Sequence, residues 1–340
     1  MSTLKSKNKI LVLFCGGTIV MQKRANGSFS PPSKEDAIEL LISLEPRIFQ
    51  EIDIQVQYLF NVDSSNLLPD NWNEIAETIY KSYESYDGFV VIQGTDTMAF
   101  TSSALSFALQ DLGKPVVFTG AQISGRYLES DARSNFVNAI YLATKNISGV
   151  LLLFDKHIFQ GNRVSKVSHT HLKGFSSIKA PLFGVIETKM RISKKAPTRH
   201  SRYPKLSLGF DSKIQVEHLF PGVSLDCFIP TLGKDLQAVI LVAFGTGNIS
   251  KTLFPFLKEA KKKQVPVVVR SQCTEGITDL GAYELGSEAL SCGVIQSYDM
   301  SFESTITKLM WVLDKKIPYD NFAEVFYKDL AGEIEGEEIL

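Results

Sequence analysis

The chain has 340 residues, 44% of them hydrophobic and 21% charged, with a formal net charge of −1. That usage is ordinary for a soluble protein, the length suggests two domains that each bury a core, and the charge gives no basic field for nucleic acid or membrane. No apolar run approaches the roughly 20 residues of a membrane span. After the basic start only Ile10 to Cys15 are apolar or small before Gly16, too few for a signal-peptide core, so a cytoplasmic protein is expected. Cys15, Cys227, Cys273 and Cys292 are scattered without metal-ligand spacing. Cys15, Cys273 and Cys292 lie in or beside apolar runs and are expected to be reduced and buried.

Ile10–Phe14 reads as a buried strand ending in Cys15-Gly16-Gly17-Thr18. The paired glycines let the backbone turn sharply near a ligand and leave the Thr18 hydroxyl above the strand end. Residues 22–32 are polar, with Asn26-Gly27 and Pro31-Pro32 as loop signals, and are placed like a lid. Ser33 with Asp36 three residues on makes a capping box for a helix to about Leu44. Ile52–Phe60 is the second strand, followed by the polar cluster Asp63-Ser64-Ser65, and Asp70 is expected to cap a helix to about Tyr83.

Gly88 to Ile92 is a short buried strand that runs through Gln93 into Gly94-Thr95-Asp96-Thr97. Met98, Thr101, Ala104, Leu105 and Ala108 then fall at helical spacing. Three oxygen-bearing side chains therefore sit in a strand-to-helix corner at the carboxyl edge of a sheet, where open α/β sheets bind ligands. An anionic Asp96 there repels phosphate and suits a substrate with an ammonium group and a reacting carbonyl.

Lys114 precedes another buried strand that ends in Thr119-Gly120-Ala121-Gln122. Ser130 or Asp131 caps a helix to about Lys145, and Val150–Phe154 is one more strand. Strands alternating with helices predict a mostly parallel sheet. The pattern weakens between Lys156 and Phe220, expected to hold a hairpin or strap, and resumes with strands at Ala238–Val242 and Val265–Val269 around a helix over 251–262. The expected class is α/β: a larger N-terminal domain over 1–189 with a flavodoxin-like sheet, a linker over 190–211, and a smaller α/β domain over 212–340. Its acidic end, Gly332–Leu340, reads as disordered.

Each candidate feature alone has a plainer explanation: a structural turn at Gly16-Gly17, a helix cap at Thr95 or Asp96, an Asx turn at Asp63. The odds change because three of them sit at strand C-termini in one half of the chain, which share one edge. Lys114 is the exception, at a strand start. Other chemistries fit worse. Residues 120–127 have the glycine spacing of a phosphate loop without its Lys and Ser/Thr, no GxSxG elbow exists, and His169-Thr-His171 reads as surface rather than metal site.

Cys15-Gly-Gly-Thr-Ile19, Gln93-Gly-Thr-Asp-Thr-Met98 and Lys114-Pro-Val-Val-Phe-Thr-Gly-Ala-Gln122 closely resemble the signatures of bacterial-type L-asparaginases. Ser130-Asp131, Asn135 and Asn138-Ala139 continue the match, and Phe159-Gln-Gly-Asn-Arg-Val-Ser-Lys166 resembles the type I, cytoplasmic branch. Gly245-Thr-Gly-Asn248 and Ser271-Gln-Cys273 extend it into the second domain, so nearly the whole chain is covered.

The resemblance implies hydrolysis of L-asparagine to L-aspartate and ammonia without metal or cofactor, by a homotetramer built as a dimer of dimers. It implies Thr18 as nucleophile and Thr95, Asp96 and Lys114 as the group that orients threonine and water. Asp96 would also bind the α-ammonium, and Ser64 with amides near Asp63–Ser65 the α-carboxylate. Gly17 and Gly94 line the pocket, and amides near Thr95 and Ala121 stabilise the oxyanion. Selecting a small zwitterion independently asks for such fixed polar groups, and a threonine hydroxyl needs a proton acceptor nearby.

Several positions depart from the family. It usually has Thr at Cys15, His at Gln93, and a lid tyrosine where this chain reads Ser28 followed by Phe29. Val242 stands where members with a second, activating site carry an arginine, so feedback activation is not expected. Two other readings stay open: a catalytically weak amino-acid-binding or regulatory protein, and an amidase subunit delivering ammonia to a partner. The latter usually carries an extra N-terminal domain, whereas about nine residues precede the first strand here.

Overall fold

Continuous runs of Val, Ile, Leu and Phe, buried on both faces, belong in a parallel sheet covered by helices. A computed structural model of the chain, which describes residues 7–335 except 25, 26 and 28, forms that sheet from five strands. They are β1 (Lys9–Phe14), β2 (Asp53–Tyr58), β3 (Gly88–Ile92), β4 (Pro115–Thr119) and β5 (Gly149–Phe154). They stand in the order β2-β1-β3-β4-β5, all parallel, which is the flavodoxin-like order. The chain crosses to opposite sides of β1 to form β2 and β3. The ends of those strands are therefore the topological switch point, where ligands bind.

The stretch that follows is made of hairpins. Asp155 and Lys156, with φ of 41° and 66°, form a two-residue turn that folds β6 (His157–Gln160) back along β5. Gly184–Ile186 and Met190–Ile192 add two more antiparallel strands outside β6. Between them, β7 (Val164–Lys166) pairs with β8 (Phe175–Ser177) as a separate hairpin.

The helices start on local chemistry. Ser33 Oγ accepts from the Asp36 N–H at 3.1 Å and opens α1 (Lys34–Leu44), as expected. For α2 (Pro69–Ser82) the expected cap is corrected. Leu68 is the capping residue, Asn71 Oδ1 accepts from its N–H at 2.9 Å, and Pro69 starts the helix without an orphan donor. Asp70 lies in the first turn, where its charge suits the helix dipole. Helix α3 (Met98–Ala108) is almost wholly buried. At α4 (Ala132–Ala143) Ser130 Oγ accepts from the Ala132 N–H at 3.0 Å, while Asp131 is turned to other partners.

The chain divides into two compact units, one reaching Ser177 and including Pro181–Leu208, the other holding Ile178–Ala180 and Gly209 onward. Most of the stretch expected as linker thus belongs to the first unit. Met190–Ile192 is an edge strand, and the half-buried Arg199 guanidinium donates to the carbonyls of Lys145 and Ala143 at 2.6 Å each and to that of Asp87. These bonds satisfy backbone carbonyls after α4 and before β3.

The second unit holds a parallel sheet of Ile214–His218, Ala238–Ala243, Val267–Ser271 and Ile295–Gln296 in sequential order. Val239, Leu241, Val267 and Val269 share a core with Phe254, Phe256, Leu257 and Ala260 of the helix Phe254–Lys262. Cys15 and Cys292 are buried, but Cys273 is exposed because it lies two residues beyond its strand. No helix among the described residues is long and apolar enough to cross a membrane.

The acidic end is also corrected, as far as residue 335; residues 336–340 lie outside the described part. Glu333 is fully buried, and its carboxylate takes a 2.5 Å bond from Lys308 of the helix Phe302–Asp314. The same carboxylate accepts from the Leu330 and Ala331 N–H groups. Composition suggested a solvated tail, but one carboxylate in it answers a buried lysine.

Burial alone would raise the Glu333 pKa, but the Lys308 charge and the hydrogen bonds hold it below the ordinary value. That stability is present above the ordinary glutamate pKa and is lost as pH falls through the lowered one. The neighbouring Asp329 carboxyl is pushed up to about 6 by burial and by Glu333. Between its ordinary 3.8 and about 6 the folded chain holds the extra proton, so this group's contribution falls as pH rises through that window.

Glu333→Gln leaves the Lys308 charge buried without its partner and should cost about 3–5 kcal/mol in denaturant unfolding at neutral pH. Asp329→Asn should be more stable than the parent above pH 6, with the difference vanishing below pH 4; urea melts from pH 3.5 to 8 measure both arms.

Candidate active site

The site begins with backbone that has no room for side chains. Gly16 and Gly17 leave β1 at φ of 106° and 107°. A Cβ on Gly17 would lie 2.5 Å from the Gly94 nitrogen, and one on Gly94 would lie 2.7 Å from Ser64 Oγ. The loops after β1 and β3 therefore meet main chain to main chain, and the loop after β2 sets its Ser64 side chain against Gly94, approaches that only glycine permits. This contact delivers Thr18, first residue of the short 3₁₀ turn Thr18–Val20, beside Thr95 and Asp96.

Hydrogen bonds fix the β2 exit. Asp63 Oδ1 accepts from the Ser65 N–H at 2.9 Å and its hydroxyl at 2.7 Å, an Asx turn. Buried Ser64 accepts from the Asp96 N–H at its Oγ (3.3 Å) and from the Thr97 hydroxyl at its carbonyl (2.8 Å). Gln93, fully buried at the end of β3, donates to Thr101 Oγ1 at 3.0 Å and to Thr97 Oγ1 at 3.4 Å, bracing the same corner.

The lysine of the site is Lys166, at the end of β7. Its ammonium donates to Thr95 Oγ1 at 2.7 Å and to Asp96 Oδ1 at 2.6 Å. The Lys166 side chain is 16% exposed and the Asp96 side chain 63%, so a largely shielded cation holds one oxygen of a carboxylate that stays open to solvent. The loop after β7 is tied to the β4 exit by Gln122, whose amide donates to the carbonyls of Ser168 (3.1 Å) and His171 (3.2 Å). Gln122 is held in turn by Asp131, whose carboxylate accepts from the Gln122 and Ile123 N–H groups.

These groups enclose a cleft of about 200 Å³. Drug-sized ligands occupy pockets of roughly 300–1,000 Å³, so this one matches a smaller molecule. Gly17, Thr18, Asp63, Ser64, Gly94, Thr95 and Asp96 line it as the sequence suggested. Met21, Gln122, Lys166 and His169 join them. Ser65 braces Asp63 from outside, and Ala121 is buried in the core, so Gln122 is the residue of that corner that reaches the cleft. Ser28 lies outside the described residues. Phe29 pairs with Lys23 through its backbone, and its side chain lies outside the description as well.

Lys114 is not in the cleft. It stands at the start of β4, the opposite edge of the sheet. There it donates to the carbonyls of Tyr83 (2.5 Å) and Tyr86 (2.7 Å), just past the C-terminus of α2. Its ammonium also lies 4.6 Å from the centre of the Tyr83 ring. Burial pulls its pKa down, with Asp87 acting the other way. A cation on the last carbonyls of a helix is a cap. Lys114 enters the expected group through the family resemblance, and Lys166, although it closes the 159–166 run that resembles the type I branch, is given no role there. The Lys166–Asp96 contact joins residues 70 apart in the chain. His169, read as a surface residue, is exposed and also borders the cleft.

Comparison with known proteins identifies the family. The family profile described as "Asparaginase, N-terminal" matches residues 9–198, and "Glutaminase/Asparaginase C-terminal domain" matches residues 213–326. The chain is 35% identical over 336 residues to L-asparaginase 1 of Escherichia coli strain K12, covering 96% of this chain and 98% of that protein. The solved structure of the thermostable L-asparaginase from Thermococcus kodakarensis superposes with a TM-score of 0.89 at 32% identity, over 97% of this chain and 100% of that one. L-asparaginase I of Vibrio cholerae gives 0.87 at 32%, with the same coverage.

Lys114→Met should lower stability by about 1–3 kcal/mol, because it strips two helix-end carbonyls of a charged donor. The cleft should be unchanged, so the affinity for a small ligand, read by calorimetry beside the denaturant midpoint, should match the parent's.

Proposed function

The chain belongs to the asparaginase family, and from that premise we propose that it hydrolyses the side-chain amide of L-asparagine through an ester formed on Thr18. The observation that carries this reading is the Lys166 ammonium bridging Thr95 and Asp96 in the cleft that Thr18 lines.

The α-groups of the substrate have partners of the right sign. The second oxygen of the exposed Asp96 carboxylate accepts from the α-ammonium, while Ser64 receives the α-carboxylate. With both ends held, the amide carbon lies against Thr18 Oγ1, and orientation supplies a large part of the rate. In acylation the Thr18 C–O bond forms, the C–N bond breaks, and the hydroxyl proton goes to the departing ammonia. In deacylation water adds, the ester C–O bond breaks, and Thr18 regains a proton.

Lys166 has two tasks in this scheme. Its charge offsets that of Asp96, so the cleft binds a zwitterion rather than any cation. Its bond to Thr95 Oγ1 occupies an acceptor site there and turns the Thr95 hydroxyl proton toward the cleft, where it can orient the attacking water. The role first given to Lys114 passes to Lys166. We propose further, from the type I resemblance, that the protein works in the cytoplasm as a homo-oligomer assembled as a dimer of dimers, without a cofactor.

Ammonia release from L-asparagine by the wild type, with parallel Thr18→Ala, Lys166→Met and Lys114→Met variants, tests the reading. Thr18→Ala should lose about 10³-fold or more in kcat and Lys166→Met about 10²–10⁴-fold, while Lys114→Met retains activity. Undiminished turnover in Thr18→Ala would sink the nucleophile. An inactive wild type that L-asparagine still stabilises would make the protein a binder on the same scaffold.

A further inference from the structure

The cleft's polar groups explain how an amino acid is held, but not how its length is measured. L-Asparagine and L-glutamine present the same α-ammonium, the same α-carboxylate and the same terminal amide. They differ by one methylene. Anchors for the shared groups bind both molecules alike, so discrimination must come from whatever meets the carbon chain.

Among the described residues that line the cleft, one side chain is apolar: Met21. The others are glycines, hydroxyls, carboxylates, Gln122, Lys166 and His169. Met21 follows the turn that presents the nucleophile, and its N–H donates to the Thr18 carbonyl at 3.0 Å. Its own carbonyl accepts from the Ser124 hydroxyl at 2.6 Å, and the adjoining Gly125 N–H donates to the Ile19 carbonyl at 2.9 Å. The backbone from Thr18 to Met21 is thus pinned from both sides, and the Met21 side chain starts at a fixed distance from the reacting hydroxyl.

We infer that Met21 is the specificity-determining residue for chain length, its thioether forming the wall against which the substrate's methylenes pack. With the α-groups held at Asp96 and Ser64 and the carbonyl carbon at Thr18, glutamine's extra methylene must bulge from the line between the anchors. A methionine wall resists that bulge, yet three rotatable bonds let it give rather than exclude glutamine outright. The expected selectivity is therefore graded. The inference rests on the hydrolytic reading above.

The test is the ratio of kcat/KM for L-asparagine to that for L-glutamine in wild type, Met21→Ala and Met21→Leu. Met21→Ala should lower the ratio by about 10-fold or more, the scale on which pockets sense one methylene, while Met21→Leu, which restores bulk, should stay within about 3-fold of wild type. A general loss of structure reduces both substrates together and leaves the ratio in place. In the Thr18→Ala background, the preference for binding L-aspartate over L-glutamate should shift in the same sense, without any chemistry. Failure of the two readings is distinguishable. If the wild type releases ammonia in a Thr18-dependent manner but neither ratio moves in Met21→Ala, the length gauge is overturned and the hydrolase stands. If the wild type has no such activity, both readings fall.

Discussion

The constraint on which the site depends is the approach of backbone to backbone at Gly17 and Gly94. Two neighbouring parallel strands place their carboxyl ends about 4.8 Å apart, but side chains would normally push the following loops away from each other. Here Gly17 has no side chain and a φ of 107°, so the loop after β1 folds onto the nitrogen of Gly94. Gly94 in turn admits Ser64 from the loop after β2. Three segments far apart in sequence thereby hold Thr18, Thr95, Asp96 and Ser64 around one small volume. A substituent at either glycine would displace hydroxyls, not merely crowd a turn.

Around that frame, location decides what a charge does. Lys114 and Lys166 are both largely withdrawn from water, and each ammonium has two oxygen partners. At the start of β4 those oxygens are carbonyls beyond a helix C-terminus, and the lysine is structural. At the end of β7 they are a hydroxyl and a carboxylate that border the cleft, and the lysine sets the polarity of the site. In the second unit, Lys308 meets a fully buried glutamate and fastens a segment that would otherwise be solvated. The partner and the open side distinguish the three, not the burial.

The division between what the sequence disclosed and what it withheld follows the range of the interactions. The strands β1, β3 and β4 were legible because a run such as Phe89-Val-Val-Ile92 needs cover on both faces, and the glycine after it marks the edge where ligands bind. Ser33 was legible because a cap is satisfied three residues away. Asp70 was misjudged because the first turn of α2 held two better devices, Pro69 and the Asn71 side chain. After residue 156 a hairpin or strap was expected but its strands were not placed, because strands of three residues are too short to alternate visibly. Lys166 and Glu333 escaped for a deeper reason. Each is defined by partners on another element, and its periodicity does not point to them.

This also bears on where the site can vary. Ser64, Thr95 and Asp96 sit on turns pinned by glycine contacts and by bonds such as Asp96 N–H to Ser64 Oγ. Altering their position means altering three loops together. Met21, Gln122 and His169 reach the same cleft with side chains whose loss leaves the Gly17–Gly94 contact untouched. A scaffold arranged in this way separates two demands that compete in most pockets. Thr18, Thr95 and Asp96 are carried on loops held together by the close approach at Gly17 and Gly94. Size and selectivity can drift at the rim, because what meets the substrate there is side chain alone.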